Sequence, residues 1–524
     1  MCGYRESGMK GYWYQAAMLG VVLGIWEGNT LIHAALIHRW SFDGNANDSV
    51  GGAHATLING ASISGGWLVL ANSGTSNDPN TNQYASLPIG STIASLDNMT
   101  IETWILWGGG NNWQRIWDFG TGTTSNMFLT PKSSSTDKRF AITTTGGSGE
   151  QRVTDSGALS IGTPVHLVVT LDDATDTARM YLNGVLVAQN TSVTLKPSNL
   201  GNTTQNWLGR SQYSWDPFFS GAYDEVRIYN QAFSQHLVNI SYQLGPDRLA
   251  PTAAYQLAGL MDEAVAVWQF RAATDSNGAE SNFTPNGNFT VGNTNNTGAV
   301  QALNSDRYAA NEGAGNSWGE LASLSSDHEL VRAAGGSLTM FARVRLEQFN
   351  GVDDVWRVGA SGSAAQDTYA LELYNGRPRF VLTGAGNASE TILLHGETLQ
   401  TNTWYDLTGV FNATAGTMTL YVYSPVTGTM IGQPVTSSVS FSTLATFSSM
   451  NLLFLEAPSN FNGTNVGGQL ELAILWNRAL SPEEVALLSL VVPEPSTSVL
   501  VMLGMVGLAA FSLWGRKRLG FPRT

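Results

Sequence analysis

Calcium coordination is the first chemistry that the sequence offers, in the stretch DGNAND at 43–48. Calcium takes roughly six to eight oxygen ligands from carboxylates, amides and backbone carbonyls, so Asp43 and Asp48, with the asparagines between them, suit it. The stretch lacks the downstream bidentate glutamate of a typical calcium loop. The same composition is also typical of an ordinary turn built on Asn and Asp, and from the residues alone both interpretations stay open.

Aromatic side chains in glycine-flanked loops offer a second chemistry, the stacking of sugar rings. Trp113 lies in GGGNNWQRIW, and Tyr213 and Trp215 lie in GRSQYSWDPFFSG. Exposed rings of this kind bind sugar faces while nearby polar groups fix the hydroxyls. These three residues are therefore the predicted ligand-binding residues. Other tryptophans stand inside apolar strands and are predicted to be core, namely Trp40, Trp104, Trp117, Trp268 and Trp356.

Catalytic motifs are absent from the sequence. Paired carboxylates for glycoside cleavage need a common face, but Asp224 and Glu225 are adjacent, and Glu102 and Glu372 each stand alone. There is no His-Glu-x-x-His motif for a catalytic metal and no Gly-x-Ser-x-Gly elbow for a nucleophile. We expect a protein that is not an enzyme. A polysaccharide-degrading enzyme is the less favoured alternative.

Composition excludes further classes. The net charge is −14 and the whole chain has only five lysines. Nucleic acid is excluded as a partner because phosphate backbones are held by clustered Lys and Arg. Cys2 is the only cysteine, which excludes disulfides and cysteine-type zinc sites. The 57 glycines and the short apolar runs between polar turns are typical of an all-β protein.

The elements that would position these residues occur twice. PVHLVVTLDDATDTARMYLNG (164–184) aligns without a gap with TWYDLTGVFNATAGTMTLYVY (403–423) when His166 is set on Asp406. Further pairs follow in the same order, with a period near 240 residues, which suits one β-sandwich per copy. Alternation places one set of apolar residues on a single strand face in each copy, namely Ala178, Met180 and Leu182, and Met418, Leu420 and Val422.

Local signals add a turn and a helix to this plan. Asn183-Gly184 predicts a tight hairpin turn. SPEEVALLSL predicts a closing helix, with Ser481 as N-cap, Pro482 at the first helical position and Glu484 completing a capping box.

Both copies resemble the laminin-G-like, or concanavalin A-like, jelly roll. The resemblance rests on RWSFDGNANDSVG, MTIETWI, VHLVVTLDDATDTARMYLNGVLV and DEVRIYNQAFS, and the second copy is the more divergent. It implies an all-β chain of two antiparallel β-sandwich jelly rolls in tandem, at 36–244 and 263–490, with a linker at 245–262. In related jelly rolls a structural calcium often ties the first loop to the last strand. The resemblance thus adds Asp224 to Asp43 and Asp48 as metal ligands.

The two ends predict export. Residues 1–35 have a basic start, an apolar core and small residues after it, which is typical of a signal peptide. At the other end come Pro493, Glu494 and Pro495, an apolar stretch at 499–514, and a basic cluster, Arg516, Lys517 and Arg518. The apolar stretch predicts a transmembrane helix with its basic end on the cytoplasmic side.

The order of these C-terminal features, within 491–519, resembles the PEP-CTERM sorting signal of Gram-negative bacteria. The resemblance implies processing by an exosortase-type membrane enzyme. It also implies transient anchoring in the inner membrane and final placement at the cell surface or in the extracellular matrix. A plain tail anchor is the alternative.

These observations together predict an exported, non-catalytic protein that binds carbohydrate, such as extracellular polysaccharide, or other matrix components through its jelly rolls. A purely structural adhesion or biofilm protein is the alternative.

Overall fold

Two antiparallel β-sandwiches in tandem make up the protein, as the sequence predicts. The computed structural model describes residues 36–489, apart from 269, 271–283, 287–288, 295–306, 312–317, 322, 350, 361–365, 388 and 457–467. The predicted signal peptide and the whole predicted sorting segment, from Pro493 to Arg518, lie outside these residues. Within the described part, no helix combines the length and apolarity that crossing a membrane requires.

The first sandwich is built from strands that are short and separated by glycine-rich turns, as its composition favours. Its elements are β1 (Leu36–Trp40), β2 (Thr56–Ile58), β3 (Ser62–Ser64), β4 (Trp67–Leu70), β5 (Tyr84–Ser86), α1 (Gly90–Ile93), β6 (Met99–Trp107), β7 (Trp117–Gly120), β8 (Asn126–Thr130), β9 (Lys138–Thr143), β10 (Gln151–Asp155), β11 (Pro164–Asp172), β12 (Thr177–Leu182), β13 (Val185–Asn190), β14 (Gln205–Leu208), β15 (Gly221–Tyr229) and α2 (Gln235–Leu244).

A further helix, α3 (Thr252–Asp262), lies in the predicted linker and leads to the second sandwich. The second sandwich comprises β16 (Ala266–Trp268), β17 (Thr284–Asn286), β18 (Phe289–Thr294), β19 (Arg307–Asn311), β20 (Trp318–Leu321), α4 (Glu329–Arg332), β21 (Leu338–Leu346), β22 (Val352–Ala360), β23 (Asp367–Tyr374), β24 (Arg377–Leu382), β25 (Thr391–Leu394), β26 (Trp404–Asn412), β27 (Thr417–Ser424), β28 (Thr429–Met430), β29 (Val435–Ser438), β30 (Met450–Glu456), β31 (Gly468–Trp476) and α5 (Pro482–Leu488).

Each sandwich has one sheet that faces the helices, called here the inner sheet, and one that faces away, the outer sheet. In the first sandwich the inner order is β13-β12-β11-β6-β15-β4-β3, with β1 beside β15, and the outer order is β10-β9-β8-β7-β14-β5-β2. The second sandwich repeats this pattern, with β27-β26-β21-β31 in its inner sheet and β30-β22-β23-β24-β25 in its outer sheet. The repeat in strand order agrees with the internal duplication read from the sequence.

Alternation along the strands builds the two cores. Ala178 and Met180 belong to the first core and Leu182 packs against it, while Met418, Leu420 and Val422 belong to the second, as predicted. The five tryptophans predicted to be core are each at most 9% exposed. Asn183 and Gly184 both adopt positive φ, at 50° and 78°, which is the backbone of the predicted hairpin turn.

Helices α2, α3 and α5 lie between the two inner sheets. One apolar cluster joins Tyr181 of the first inner sheet, Leu257 of α3 and Ile474 of the second inner sheet. The Trp476 side chain donates a hydrogen bond to the Leu260 carbonyl at 2.7 Å. The capping box of α5 forms as predicted, with Ser481 Oγ accepting from the Glu484 amide at 3.2 Å. The helices therefore cover both inner sheets, whereas the outer sheets lie away from this interface.

Candidate functional site

The outward face of the first outer sheet carries one continuous row of side chains across six strands. We call it the outer row, and its members, paired strand to strand, are Ser86, Trp207, Asp118, Phe128, Ala141 and Arg152. Their neighbours along each strand point into the first core, for example Phe119, Met127 and Phe140. Because side chains alternate along a strand, the row members point outward.

The structure brings together the three aromatic residues predicted to bind ligand, beside the middle of this row, where Arg115 contacts Asp118 and Phe128. The Tyr213 and Trp215 rings are 5.3 Å apart, and the Arg115 guanidinium carbon lies 5.6 Å from the Trp113 ring and 5.9 Å from the Tyr213 ring. Trp215 is 68% exposed, and Trp113 and Tyr213 are half-buried. The three rings thus form one accessible aromatic cluster, in which Trp113 and Tyr213 lie next to the same cation.

Two loops hold this cluster in place. At Gly110 an added Cβ would approach the Gly74 carbonyl oxygen to 2.4 Å, so the loop that leads to Trp113 requires glycine there. The Trp113 amide donates to the Lys132 carbonyl at 2.7 Å. In the other loop, the Tyr213 amide donates to Ser211 Oγ at 3.1 Å. The glycine-flanked composition that singled out these loops in the sequence thus has a structural cause.

Arg115 is anchored beneath the rings by two carboxylates. Its Nε lies 3.3 Å from Asp118, its Nη2 lies 2.9 Å from Asp216, and its guanidinium carbon lies 4.0 Å from the Phe128 ring. Burial raises the pKa of Asp118 to about 7, although Arg115 opposes this rise. The Gln212 amide donates to Asp118 at 3.0 Å, which ties the aromatic loop to the sheet.

Three residues of this face were missed by the sequence analysis. The Arg210 guanidinium carbon lies 4.2 Å from the Trp207 ring and 4.8 Å from the Tyr84 ring, and Arg210 Nη1 donates to Tyr84 Oη at 2.8 Å. Trp207 sits in the apolar run NWLG, which by itself does not say which face a residue takes. Only the pairing of β14 with β7 places Trp207 beside Asp118 on the outward face.

Asp48, one of the predicted calcium ligands, is already used by the protein. Its two oxygens accept hydrogen bonds from four backbone amides, those of Arg39, Val50, Gly51 and Ala53, and from His38 Nδ1 at 2.6 Å. Burial opposes ionisation, but these bonds outweigh it and lower the pKa of Asp48 to about 2. The carboxylate therefore holds the loop as a turn acceptor, and we do not retain it as a metal ligand.

Asp43 and Asp224 lie close enough to interact, together with Asp247, which the sequence analysis missed. Burial, followed by repulsion from Asp247, Glu225 and Asp43, raises the pKa of Asp224 to about 8. Among the described residues, none donates a hydrogen bond to the Asp43, Asp224 or Asp247 side chains. These three carboxylates therefore repel one another across the first loop, the last strand and the segment after α2, but among the described residues their oxygens do not all lie within 4.8 Å of one another.

The equivalent face of the second sandwich carries a reversed ion pair. RIWDFG in the first copy corresponds to DVWRVG in the second, and Arg357 Nε lies 3.3 Å from Asp354. Asp354, Asp367 and Glu372 place ligand oxygens within 4.8 Å of one another, the only such trio among the residues that the structure describes. The expectation that Glu372 stands alone is therefore wrong, because pairing of β22 with β23 brings these residues together.

This trio is buried and matched by arginines. Its members are at most 6% exposed, Arg357 Nη1 lies 3.0 Å from Asp367, and Arg379 Nη2 lies 2.6 Å from Glu372. Burial raises the pKa of Glu372 well above its usual range. Glu102 of the first sandwich is likewise buried, 3.3 Å from His166 and 3.5 Å from Arg227. These carboxylates belong to structural ion networks of the two sheets.

Comparison with family models matches residues 79–239 and 314–486 to the concanavalin A-like lectin/glucanases superfamily. Residues 491–517 match the PEP-CTERM protein-sorting motif. The motif indicates an exported protein that an exosortase processes. A comparison with curated proteins finds no match.

Some solved structures resemble parts of this chain at low similarity. One is domain 4 of AbnA, a GH43 extracellular arabinanase from Geobacillus stearothermophilus, in complex with arabinotriose. It is 21% identical, the match covers 39% of this chain and 97% of that one, and the TM-score is 0.32. Another is the CBM40 of the Ruminococcus gnavus IT-sialidase bound to α2,3 sialyllactose, at 16% identity, with 28% and 84% covered and a TM-score of 0.26.

Proposed function

Since the chain belongs to the concanavalin A-like lectin/glucanases superfamily and carries a PEP-CTERM sorting motif, we propose that it is an exported, non-catalytic glycan-binding protein of the bacterial cell surface or extracellular matrix. Its binding site is the outward face of the first outer sheet. The observation that carries this proposal is the accessible cluster in which Trp113 and Tyr213 lie next to Arg115 and Trp215 packs against Tyr213.

The chemistry of this cluster supports sugar binding. Rings with one open face bury the apolar face of a pyranose, and adjacent polar groups orient its hydroxyls. Gln212 is half-buried in the same network and would supply such a polar group, while Asp118 and Asp216, at 0% and 7% exposed, hold Arg115 beneath the rings. A site of this kind stays largely preformed, which keeps the entropic cost of binding low.

Buried carboxylates support the non-catalytic part of the proposal. Glycosidases need two carboxyl groups that reach the substrate from either side of the scissile bond. The tightest carboxylate group of the described residues, Asp354 with Asp367 and Glu372, is at most 6% exposed and paired with arginines. A substrate would have to displace both arginines to reach it.

We also propose calcium as a structural ion held by Asp43, Asp224 and Asp247. It would draw these carboxylates together and neutralise a mutual repulsion that Arg227, and for Asp247 also Arg39 and Arg248, offset only in part. Its role there is to fasten the first loop to the last strand, and no part of sugar binding passes through it.

The sorting motif supports the location. A processing enzyme in the inner membrane would act near Pro493–Pro495 while the apolar stretch at 499–514 anchors the chain transiently. Release would deliver both sandwiches to the cell surface or the extracellular matrix.

A glycan array with the full chain tests the function. We expect selective binding that the triple variant W113A/Y213A/W215A reduces by roughly 10- to 1,000-fold, at about 0.5–1.5 kcal/mol for each ring. The matched control is Tyr374→Ala, which removes a 42% exposed tyrosine from the second outer sheet. Binding that survives in the triple variant contradicts the site. An absence of selective signal from the wild type favours a purely structural adhesion role, and reducing ends released from polysaccharide would favour an enzyme.

A further inference from the structure

We propose that the outer row recognises glycans bearing carboxylate groups, such as uronic acid polymers, and that Arg210 contacts the carboxylate. This inference rests on the proposed function, because it names the chemical class of ligand for the same face. It is carried by a cation that the protein holds in a fixed orientation on this face and does not neutralise.

Arg210 is held by stacking. Its guanidinium carbon lies 4.2 Å from the Trp207 ring and 4.8 Å from the Tyr84 ring, and one N–H donates to Tyr84 Oη at 2.8 Å. The side chain is half-buried. Stacking fixes the plane of the guanidinium and leaves an edge with several N–H donors for a ligand. A planar fork of this kind matches a carboxylate, which it binds through two parallel hydrogen bonds.

The charge balance of the face singles out Arg210. Arg115 is matched by Asp118 and Asp216, at 3.3 and 2.9 Å. Arg139 lies 3.5 Å from Asp137 and 3.8 Å from Glu150. Arg210, by contrast, forms no ion pair with any carboxylate in the described part of the chain. A half-buried arginine left uncompensated in a chain of net charge −14 is suited to an anionic group that comes from outside.

The far end of the row carries a second cation, Arg152, which interacts electrostatically with Glu150 without forming an ion pair with it. Arg152 is exposed on β10, beside Val153, which points into the first core. It likewise forms no ion pair within the described residues. Trp207 and Arg152 are four strand steps apart in the row, or about 19 Å at about 4.8 Å per step. Cations at both ends, with rings between them, fit an extended polymer that carries acid groups at intervals better than a single sugar.

The test compares each uronic acid glycan with its carboxyl-reduced form, which keeps the sugar rings and removes the charge. Wild-type full chain is measured against an array of both forms, at one calcium concentration and low salt. We expect the acid form to bind roughly 10- to 100-fold more tightly than the reduced form, as charge-assisted bonds to a fixed guanidinium would give. This preference should shrink as salt is added.

Three variants separate recognition from packing. Arg210→Gln should remove the preference and leave affinity for the reduced form unchanged, while Arg210→Lys should keep part of it, since it keeps charge without the fork. Arg345→Gln, which removes a surface arginine of the second sandwich that bonds Asn402 at 3.0 Å, is the matched control and should change nothing. Melting temperatures of all three report whether each variant folds.

The outcomes distinguish this inference from the function on which it rests. Equal binding of acid and reduced forms by the wild type, or equal losses for both forms in Arg210→Gln, overturns the acid-recognition inference. In either case, glycan binding that depends on the aromatic cluster leaves the proposed function intact. Absence of binding to any glycan would overturn both.

Discussion

Replacing Asp224 by asparagine should stabilise the calcium-free protein, the reverse of what removing a buried charged group usually does. The pKa of Asp224 rises from its ordinary 3.8 to about 8 in the folded protein. A carboxyl whose pKa is raised by folding opposes folding increasingly as the pH climbs from about 4 to 8. Each pH unit between 3.8 and 7 adds about 1.36 kcal/mol to the cost of keeping Asp224 in the folded protein, so at pH 7 this cost is about 4 kcal/mol.

This value is an upper limit, because Asp224 retains some contact with solvent that screens its neighbours. We therefore expect Asp224→Asn to raise the free energy of unfolding by about 1–4 kcal/mol in EDTA at pH 7 to 8. The gain should vanish near pH 3, below both pKa values, where Asp224 is protonated in the folded and in the unfolded wild type. Urea titrations of wild type and Asp224→Asn at neutral and at acidic pH measure this difference in the free energy of unfolding.

Calcium should shrink the stability difference between the two proteins, and should reverse their order if the advantage of Asp224→Asn is below about 2.7 kcal/mol. At a free concentration about 100 times its dissociation constant, an ion that binds only the folded state adds about 2.7 kcal/mol. Wild type should gain this stability, whereas Asp224→Asn should gain little. Asp327→Asn, an exposed aspartate of the second sandwich, is the control and should respond to neither EDTA nor calcium.

Two results would refute different parts of this reasoning. If Asp224→Asn were less stable than wild type in EDTA at pH 7 to 8, the protein itself would satisfy the Asp224 charge and the electrostatic argument would fail. If the variant were more stable but calcium left wild type unchanged, the repulsion would be real and the ion proposal would be wrong.

Three further outcomes follow from the structure. Asp48→Asn should lower the free energy of unfolding by about 2 kcal/mol at pH 7, because folding lowers the pKa of Asp48 from 3.8 to about 2. This loss should disappear as the pH falls through that range, and urea titrations at several pH values would measure it. Leu257→Ala should cost about 2–5 kcal/mol in urea unfolding, since Leu257 is fully buried between the sandwiches; a cost under about 0.5 kcal/mol would mean that α3 is only a tether. Mass spectrometry of surface-recovered protein should find a C-terminus without Arg516–Arg518, and an intact basic end would contradict processing.

Local regularities made most of the fold predictable. The period-two pattern at Ala178, Met180 and Leu182 needs only the strand itself, and the Asn183-Gly184 turn needs only two residues with positive φ. The capping box at Ser481 is equally local.

Helix α3 was not foreseen, because its burial depends on residues far away in the sequence. The Trp476 side chain bonds the carbonyl of Leu260, 216 residues earlier in the chain. The sequence of α3 begins with proline and small residues, which is typical of a linker. Only the two inner sheets on either side of it show that the segment is a buried helix.

The candidate site was likewise predictable from the sequence only in part. Trp113, Tyr213 and Trp215 could be found because glycine-flanked loops carry aromatic side chains that a core would not need. Trp207 could not, since only strand pairing shows that it faces outward beside Asp118. Arg210 lies in one of these loops, but only its stacking on Trp207 marks it as part of this face. The spacing of Asp48 is typical of a metal ligand, but its carboxylate accepts hydrogen bonds from four backbone amides. Composition alone does not distinguish a carboxylate that binds amides from one that coordinates a metal.

Glycan binding at the outward face of the first sandwich is the central claim, and calorimetry tests it most directly. The full chain and the triple variant W113A/Y213A/W215A would each be titrated with the glycan that gives the strongest array signal. The account predicts heat of binding for the wild type and an affinity at least about 10-fold weaker for the variant, at an unchanged melting temperature. Equal affinity of the two proteins would contradict it.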